Sequence, residues 1–457
     1  MPTKNVFIFF HMNLFTKINI PESDCQIDYK SHLAFFGSCF ADNISAQFAL
    51  RKFKVLANPF GTVYNPLSLA KQIKAIADGK VFSEEDVFQD MRLAIHANSE
   101  NDANKKNCVS NENGSDDNSS KENFGDNSKG NNAAPWHCWD AHSSLSALTR
   151  EECIAKLNVA ATQARDFLQK ADAVFITLGT SFVYFLKSLR DTNDDGNGNC
   201  TSAASETEYG TVVSNCHRQD PRLFERRMIS VDEAAAAIRE IVESLCKIKR
   251  DGILRLQASP SAQDDKQGES RKNSQTYGSC VSRGLHIVFT VSPLRHMSDG
   301  AHDNTLSKAT LQIAIDKVIH EIAASPSAPR NDVRVKSSRN TSNSIAEANQ
   351  SCTLRNDVVT YFPSYEIVMD ELRDYRFYDS DMIHLSKTAE EYIFERMTET
   401  YCNGKTRDNI KQVEKFLKMA NHRIQDVNSP ITAAFLQKLH AEAAKLEKQI
   451  AGLELKL

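Results

Sequence analysis

The chain has 457 residues, 41% of them hydrophobic and 25% charged, with a formal net charge of −4. That composition excludes a chain disordered throughout, and the near-neutral balance with no basic stripe argues against a nucleic-acid or anionic-membrane partner. The longest early apolar run, Val6 to Phe10 between Lys4 and His11, is too short for a bilayer span. It also lacks a small-residue cleavage site, so the expected location is the cytoplasm, with Met12 an alternative start to Met1.

Leu33 to Phe36 reads as a short buried strand ending at Gly37, followed by a helix in which Phe40, Ile44 and Phe48 recur every four residues. Lys54 to Ala57 is a second strand, and Pro66 opens a helix through Leu69, Ile73 and Ile76. Thr149 and Glu152 form a capping-box pattern for a helix over about 150–169. Ala173 to Leu178 is a strand buried on both faces. Ser230 and Glu233 repeat the capping pattern for a helix to about 248. Leu285 to Val291 is the next strand, a helix covers about 304–323, and Val358 to Phe362 is the last strand. A final domain helix starts near Ser386. Strands alternating with helices predict a three-layer α/β/α sandwich around a parallel sheet.

Four stretches near 97–134, 188–210, 258–283 and 325–356 hold mainly Asn, Ser, Asp, Lys and Gly, too few apolar groups to offset the entropy of ordering. They are expected to be disordered surface insertions. The predicted organisation is a lead-in over 1–30, one interrupted α/β domain over 31–402 and a helical hairpin over 403–457. In the tail, Leu439, Ala443, Leu446, Ile450, Leu453 and Leu457 make a short a/d seam. A hairpin docked on the domain is favoured over a dimer zipper, and the oligomeric state stays open.

Eleven cysteines are scattered with no CxxC pair, which reads as reduced thiols. His137, Cys138 and His142 are the nearest approach to a metal cluster, but Trp136 and Trp139 beside them point to a packed loop. No metal is expected. No GxGxxG or P-loop string occurs, so no cofactor is expected either.

Ligands of parallel sheets bind beyond the carboxyl ends of the strands. Ser38 stands there after the first strand, at the start of a helix whose dipole favours a developing oxyanion, although an N-cap serine explains it equally. A serine needs a base. Asp381 and His384, three apart after the last strand, suit a carboxylate that orients an imidazole. Cys39 is the competing nucleophile. Arg295, followed by His296, can bind a carboxylate or phosphate, or pair with a nearby carboxylate. Asn215-Cys216-His217 is either a site segment or a locally bonded turn. Trp139 and His142-Ser143 read as packing before pocket lining.

A serine after the first strand combined with a late Asp-x-x-His resembles the SGNH hydrolase superfamily. The closer resemblance is to the GSCFA family, on Gly37-Ser38-Cys39-Phe40-Ala41, Asn58 to Pro66, Thr177 to Ser181, Asn215-Cys216-His217, Ser292 to His296, Tyr361 to Tyr378 and Asp381 to His384, covering about residues 31–400. The resemblance implies Ser38 as nucleophile, His384 as base, Asp381 as its partner and Gly61 as an oxyanion donor. The superfamily's Gly-x-Asn-Asp stands here as Gly179-Thr180-Ser181-Phe182, so either Ser181, Thr180 or Asn215 supplies the third donor or the activity is weak. Cys39, Asn58, Gly179, His217, Arg295 and His296 are expected around the substrate. The implied activity is cleavage of a small O-acyl ester, by analogy an O-acetylated carbohydrate. The alternatives are an acyltransferase and a catalytically silent binding module.

Overall fold

The computed structural model describes residues 16–90, 134–187, 210–258, 284–324, 358–421 and 429–455. The polar insertions fall almost wholly outside these residues, as do Val6 to Phe10 and Leu457. The chain divides into two compact units. The first holds Met1–Lys80, Ala161–Val183 and Arg227–Leu457, and the second holds Val81–Ala160 and Tyr184–Arg226.

In the first unit, β1 (His32–Gly37), β2 (Lys54–Ala57), β3 (Ala173–Leu178), β4 (His286–Val291) and β5 (Val358–Tyr361) form a sheet of order β5-β4-β3-β1-β2. Every adjacent pair is parallel. The central strands β3 and β4 are buried along their whole length, as their unbroken apolar runs require. Leu33 sits opposite Ala173 and Gly37 opposite Thr177, which stacks Phe35 on Phe175 at 4.9 Å. Gly37 permits this register at the strand end: its φ is 121° and a Cβ there would run into the Thr177 carbonyl.

Among the described residues, eight helices have twelve residues or more: α1 (Cys39–Leu50), α2 (Pro66–Asp78), α3 (Arg150–Leu168), α4 (Val231–Ala258), α5 (Ala301–Ala323), α6 (Lys387–Tyr401), α7 (Gly404–Ala420) and α8 (Pro430–Gln449). Their starts follow local chemistry. Asn65 caps α2 through Ser68 N–H, with Pro66 in the first turn, and Ser230 and Glu233 bond each other's backbone N–H at α4. Helix α4 runs to Ala258, past the expected end near 248, in spite of Gly252. Lys249 donates to Ala171 O at 2.6 Å and Arg165 pairs with Asp251 at 2.9 Å, tertiary contacts that outweigh helix propensity.

Alternation along the strands assigns the layers. Leu33, Phe35, Ala173, Phe175 and Val288 share one core with side chains of α1, α6, α7 and α8. Helices α2, α4 and α5 pack together and are linked by the Lys74–Glu240, Lys247–Asp78 and Arg239–Glu321 pairs. The result is a three-layer α/β/α arrangement. Leu439, Ala443, Leu446, Ile450 and Leu453 are buried in the same core as Ile410, Val413 and Phe416, so the tail seam closes onto its own domain.

The second unit contains short antiparallel pairings, Phe88–Gln89 with Trp136–His137, and Tyr184 opposite Val213. These strands carry too few residues for a clear sequence period.

Candidate functional site

The order 2-1-3-4-5 reverses direction between β1 and β3, and a ligand crevice belongs at that switch point. Ser38 stands at it. Its N–H donates to Thr177 O at 3.2 Å, across the β1–β3 junction. It is the N-cap residue of α1 with extended backbone, yet its side chain makes no cap hydrogen bond. The Oγ is buried with no hydrogen-bond partner, and the residue is 1% exposed. The helix-cap explanation of this serine therefore fails: a capping hydroxyl would accept from the first turn.

Three loops are stitched together here. Val63 N–H donates to Gly37 O at 2.9 Å, and Gly179 and Thr180 N–H both donate to Tyr64 O, at 2.7 and 3.0 Å. Asn58 fastens the first two loops: its Oδ1 accepts from Gly37 N–H at 2.8 Å and its Nδ2 donates to Asp42 at 2.7 Å. Its carboxamide is thus a structural tie. Gly61, at φ 82°, donates its N–H to Asn58 O at 2.7 Å, closing its own turn. The N–H of Gly61, the backbone donor implied by the resemblance, and the N–H of Ser38 are thus both engaged with carbonyls in this state.

Gly179 leaves room for its neighbours; a Cβ there would stand 3.3 Å from His296 Nε2 and 3.2 Å from the Tyr64 ring. His296 meets Tyr64 edge-on at 5.4 Å, and its N–H donates to Asn304 at 3.0 Å. Arg295 is exposed and reaches Met369 Sδ at 3.8 Å, with no carboxylate paired to it among the described residues. The ion-pair explanation for Arg295 accordingly has no partner there. Cys39 is part-buried, and burial followed by the Asp42 charge raises its thiol pKa despite the helix N-terminus. A thiol so placed is a poor thiolate at neutral pH.

Asp381 and His384 form the expected pair. His384 Nδ1 and Asp381 Oδ2 are 2.5 Å apart, while Asp381 Oδ1 accepts from Ile383 and His384 N–H at 2.9 and 2.8 Å. The imidazole hydrogen bond, then these two backbone bonds, hold the Asp381 carboxyl down to about 2. The loop that presents them turns through Met382 at φ 58°. Helices α1 and α6 relate this pair to Ser38. Asn43 donates to Glu390, and Phe48 meets Phe394 edge-on at 4.9 Å, so the two helices run parallel. Ser38 precedes α1 and His384 lies just before α6, so both stand at the same end of neighbouring helices. No hydrogen bond joins Ser38 Oγ to His384 in this state.

Ser181 is fully buried, and Ser307 on α5 engages it twice: Ser181 N–H and Oγ donate to Ser307 Oγ at 2.7 and 3.1 Å. Thr180 Oγ1 lies 3.0 Å from the same oxygen. Beside Ser307, the buried Lys308 ammonium donates to Gly179 O and Ser292 O at 2.5 and 2.8 Å. Burial pushes its pKa down to about 7. Neither residue was anticipated from sequence. Their signal was present: Asn304, Ser307 and Lys308 lie on the buried stripe of α5 with Leu311, Ala314, Ile315 and Val318, polar groups on an otherwise apolar face.

Asn215 and His217 belong to the second unit, and their side chains are committed within it. Asn215 Oδ1 accepts from His217 N–H at 2.7 Å, the local turn that was one of the two readings of this segment. His217 Nε2 donates to Cys138 O at 2.8 Å and Nδ1 contacts Ser143 Oγ at 3.2 Å. Its ring stacks on His137 at 4.5 Å, and Trp139 stacks on Phe88 at 3.7 Å. No group of three or more metal-ligating side chains occurs among the described residues. Among the same residues, no helix is long and apolar enough to cross a membrane.

No curated protein and no solved structure matches the chain. The GSCFA family matches residues 32–268 and 265–397, well over half of the sequence, and the chain belongs to that family.

Proposed function

We propose that the protein is a serine hydrolase of the SGNH type that cleaves small O-acyl esters through an acyl-enzyme. The observation that carries this reading is the Ser38 hydroxyl, buried at the sheet's switch point with no partner. A buried hydroxyl left unbonded costs about 1–3 kcal/mol, a cost that a purely structural serine avoids by capping. Ser38 attacks the acyl carbon, and His384 takes its proton and returns it to the leaving alcohol. Asp381, held by two backbone N–H groups, keeps the imidazole oriented and stabilises it when charged. Water then attacks the acyl-enzyme with the same histidine as base. The missing Ser38–His384 hydrogen bond forms on this reading when substrate closes the site, as catalytic bonds commonly tighten in the Michaelis complex. By superfamily analogy the substrate is an O-acetylated carbohydrate or a similar small ester.

The test is labelling by a fluorophosphonate followed by peptide mapping. A label on Ser38, absent in Ser38→Ala and much slowed in Asp381→Asn, is expected. Folded protein with no labelled serine makes the fold a silent binding module.

A further inference from the structure

Counting hydroxyl protons around Ser307 singles out one donor. A hydroxyl oxygen has two lone pairs and one proton. Ser307 Oγ accepts from both Ser181 N–H and Ser181 Oγ–H, which fills its lone pairs. Its own proton must then go to Thr180 Oγ1, 3.0 Å away. Thr180 Oγ1 also accepts from Phe182 N–H at 3.1 Å, so its lone pairs are filled as well. The Thr180 proton is left, and Thr180 Oγ1 makes no further hydrogen bond among the described residues. Ser181, by contrast, has spent its proton on Ser307. The backbone N–H of Thr180 is held on Tyr64 O, and Lys308 grips the carbonyl of Gly179, so the residue before Thr180 is fixed from two sides.

We propose that Ser307 is a positioning residue that turns the Thr180 hydroxyl proton outward, so that Thr180 supplies the third oxyanion donor in place of the superfamily's asparagine. The assignment rests on the serine-hydrolase reading. Ser181 passes its proton to Ser307, Ser307 passes its own to Thr180, and the aligned hydroxyls polarise one another. Lys308 fastens the loop without touching substrate. The donor then acts on charge that develops on the carbonyl oxygen, so its loss falls on kcat and not on KM.

The experiment measures kcat and KM for a short-chain aryl ester, together with the fluorophosphonate labelling rate of Ser38, in full-length variants. Thr180→Val lowers kcat about 100-fold with KM little changed, and Thr180→Ser, which keeps the hydroxyl, recovers most of it. Ser307→Ala lowers kcat about 10-fold or more, the labelling rate falls in proportion, and Ser307→Thr restores both. The Thr180→Val/Ser307→Ala double variant is no slower than Thr180→Val, because Ser307 acts only through Thr180. Losses that multiply, or a Ser307→Ala enzyme as fast as wild type, overturn the assignment while Ser38 labelling keeps the hydrolase reading. If Ser307→Ala does not fold, Thr180→Val set against Thr180→Ser decides: equal losses, or none, overturn it. No label on wild-type Ser38 removes the hydrolase reading and this assignment with it.

Discussion

Ser38 in the first unit and His217 in the second are buried to nearly the same degree, 1% and 3% exposed. Their bonding is opposite. His217 has both ring nitrogens bonded and its ring stacked, whereas the Ser38 hydroxyl has nothing. Both lie in conspicuous polar strings, Gly-Ser-Cys and Asn-Cys-His. Burial and motif therefore do not distinguish these two polar groups; the satisfaction of their hydrogen bonds does.

Removing the hydroxyl is expected to have the largest effect. Ser38→Ala lowers ester turnover by about 10⁴-fold or more while the melting temperature barely moves, since no bond is lost. His384→Ala has a similar effect, and the double variant little more. A destabilised but active Ser38→Ala protein reverses the argument. His217→Ala is the mirror experiment. Losing two hydrogen bonds and a stacked ring costs about 3–4 kcal/mol in denaturant unfolding, with turnover per folded molecule unchanged.

Acid sharpens the same contrast. Burial, the largest cause, pushes the His217 pKa down to about 4 from 6.5. The unfolded chain then takes up that proton first as pH falls. Stability is complete above 6.5 and declines between 6.5 and about 4. His217→Gln removes up to about 3 kcal/mol of that decline when unfolding free energies are compared at neutral and acid pH. A variant with the wild-type pH slope shows that His217 is not held neutral. The smallest effect belongs to Cys39→Ala. With its thiol pKa raised, it leaves turnover within about 3-fold of wild type. Loss of activity there, with Ser38→Ala active, transfers the nucleophile to sulfur.

The linear sequence was enough for the framework because its signals are local. Unbroken apolar runs in β3 and β4 and the caps at Asn65 and Ser230 depend on residues within a few positions of each other. Ser38 and the Asp381–His384 pair were legible for the same reason, each being a short string at an element boundary. The far end of α4 was not, because Lys249 and Arg165 hold it through partners distant in the chain. The spacing of the tail seam suits a partner helix in another chain as well as the domain core, and only its shortness favoured docking on the domain.

Which polar groups are already spoken for emerges only once the chain is folded. Sequence places Ser38, Asn58, Ser181 and Asn215 alike near turns, and their side chains look equally free. In the fold, Asn58 binds Gly37 and Asp42, Ser181 binds Ser307, and Asn215 caps its own turn, while Ser38 is left without a bond. Hydrogen-bond partners reach across 126 residues in the Ser181–Ser307 case. No local pattern encodes them, because chain folding and not sequence neighbourhood brings donor and acceptor within 3 Å or so.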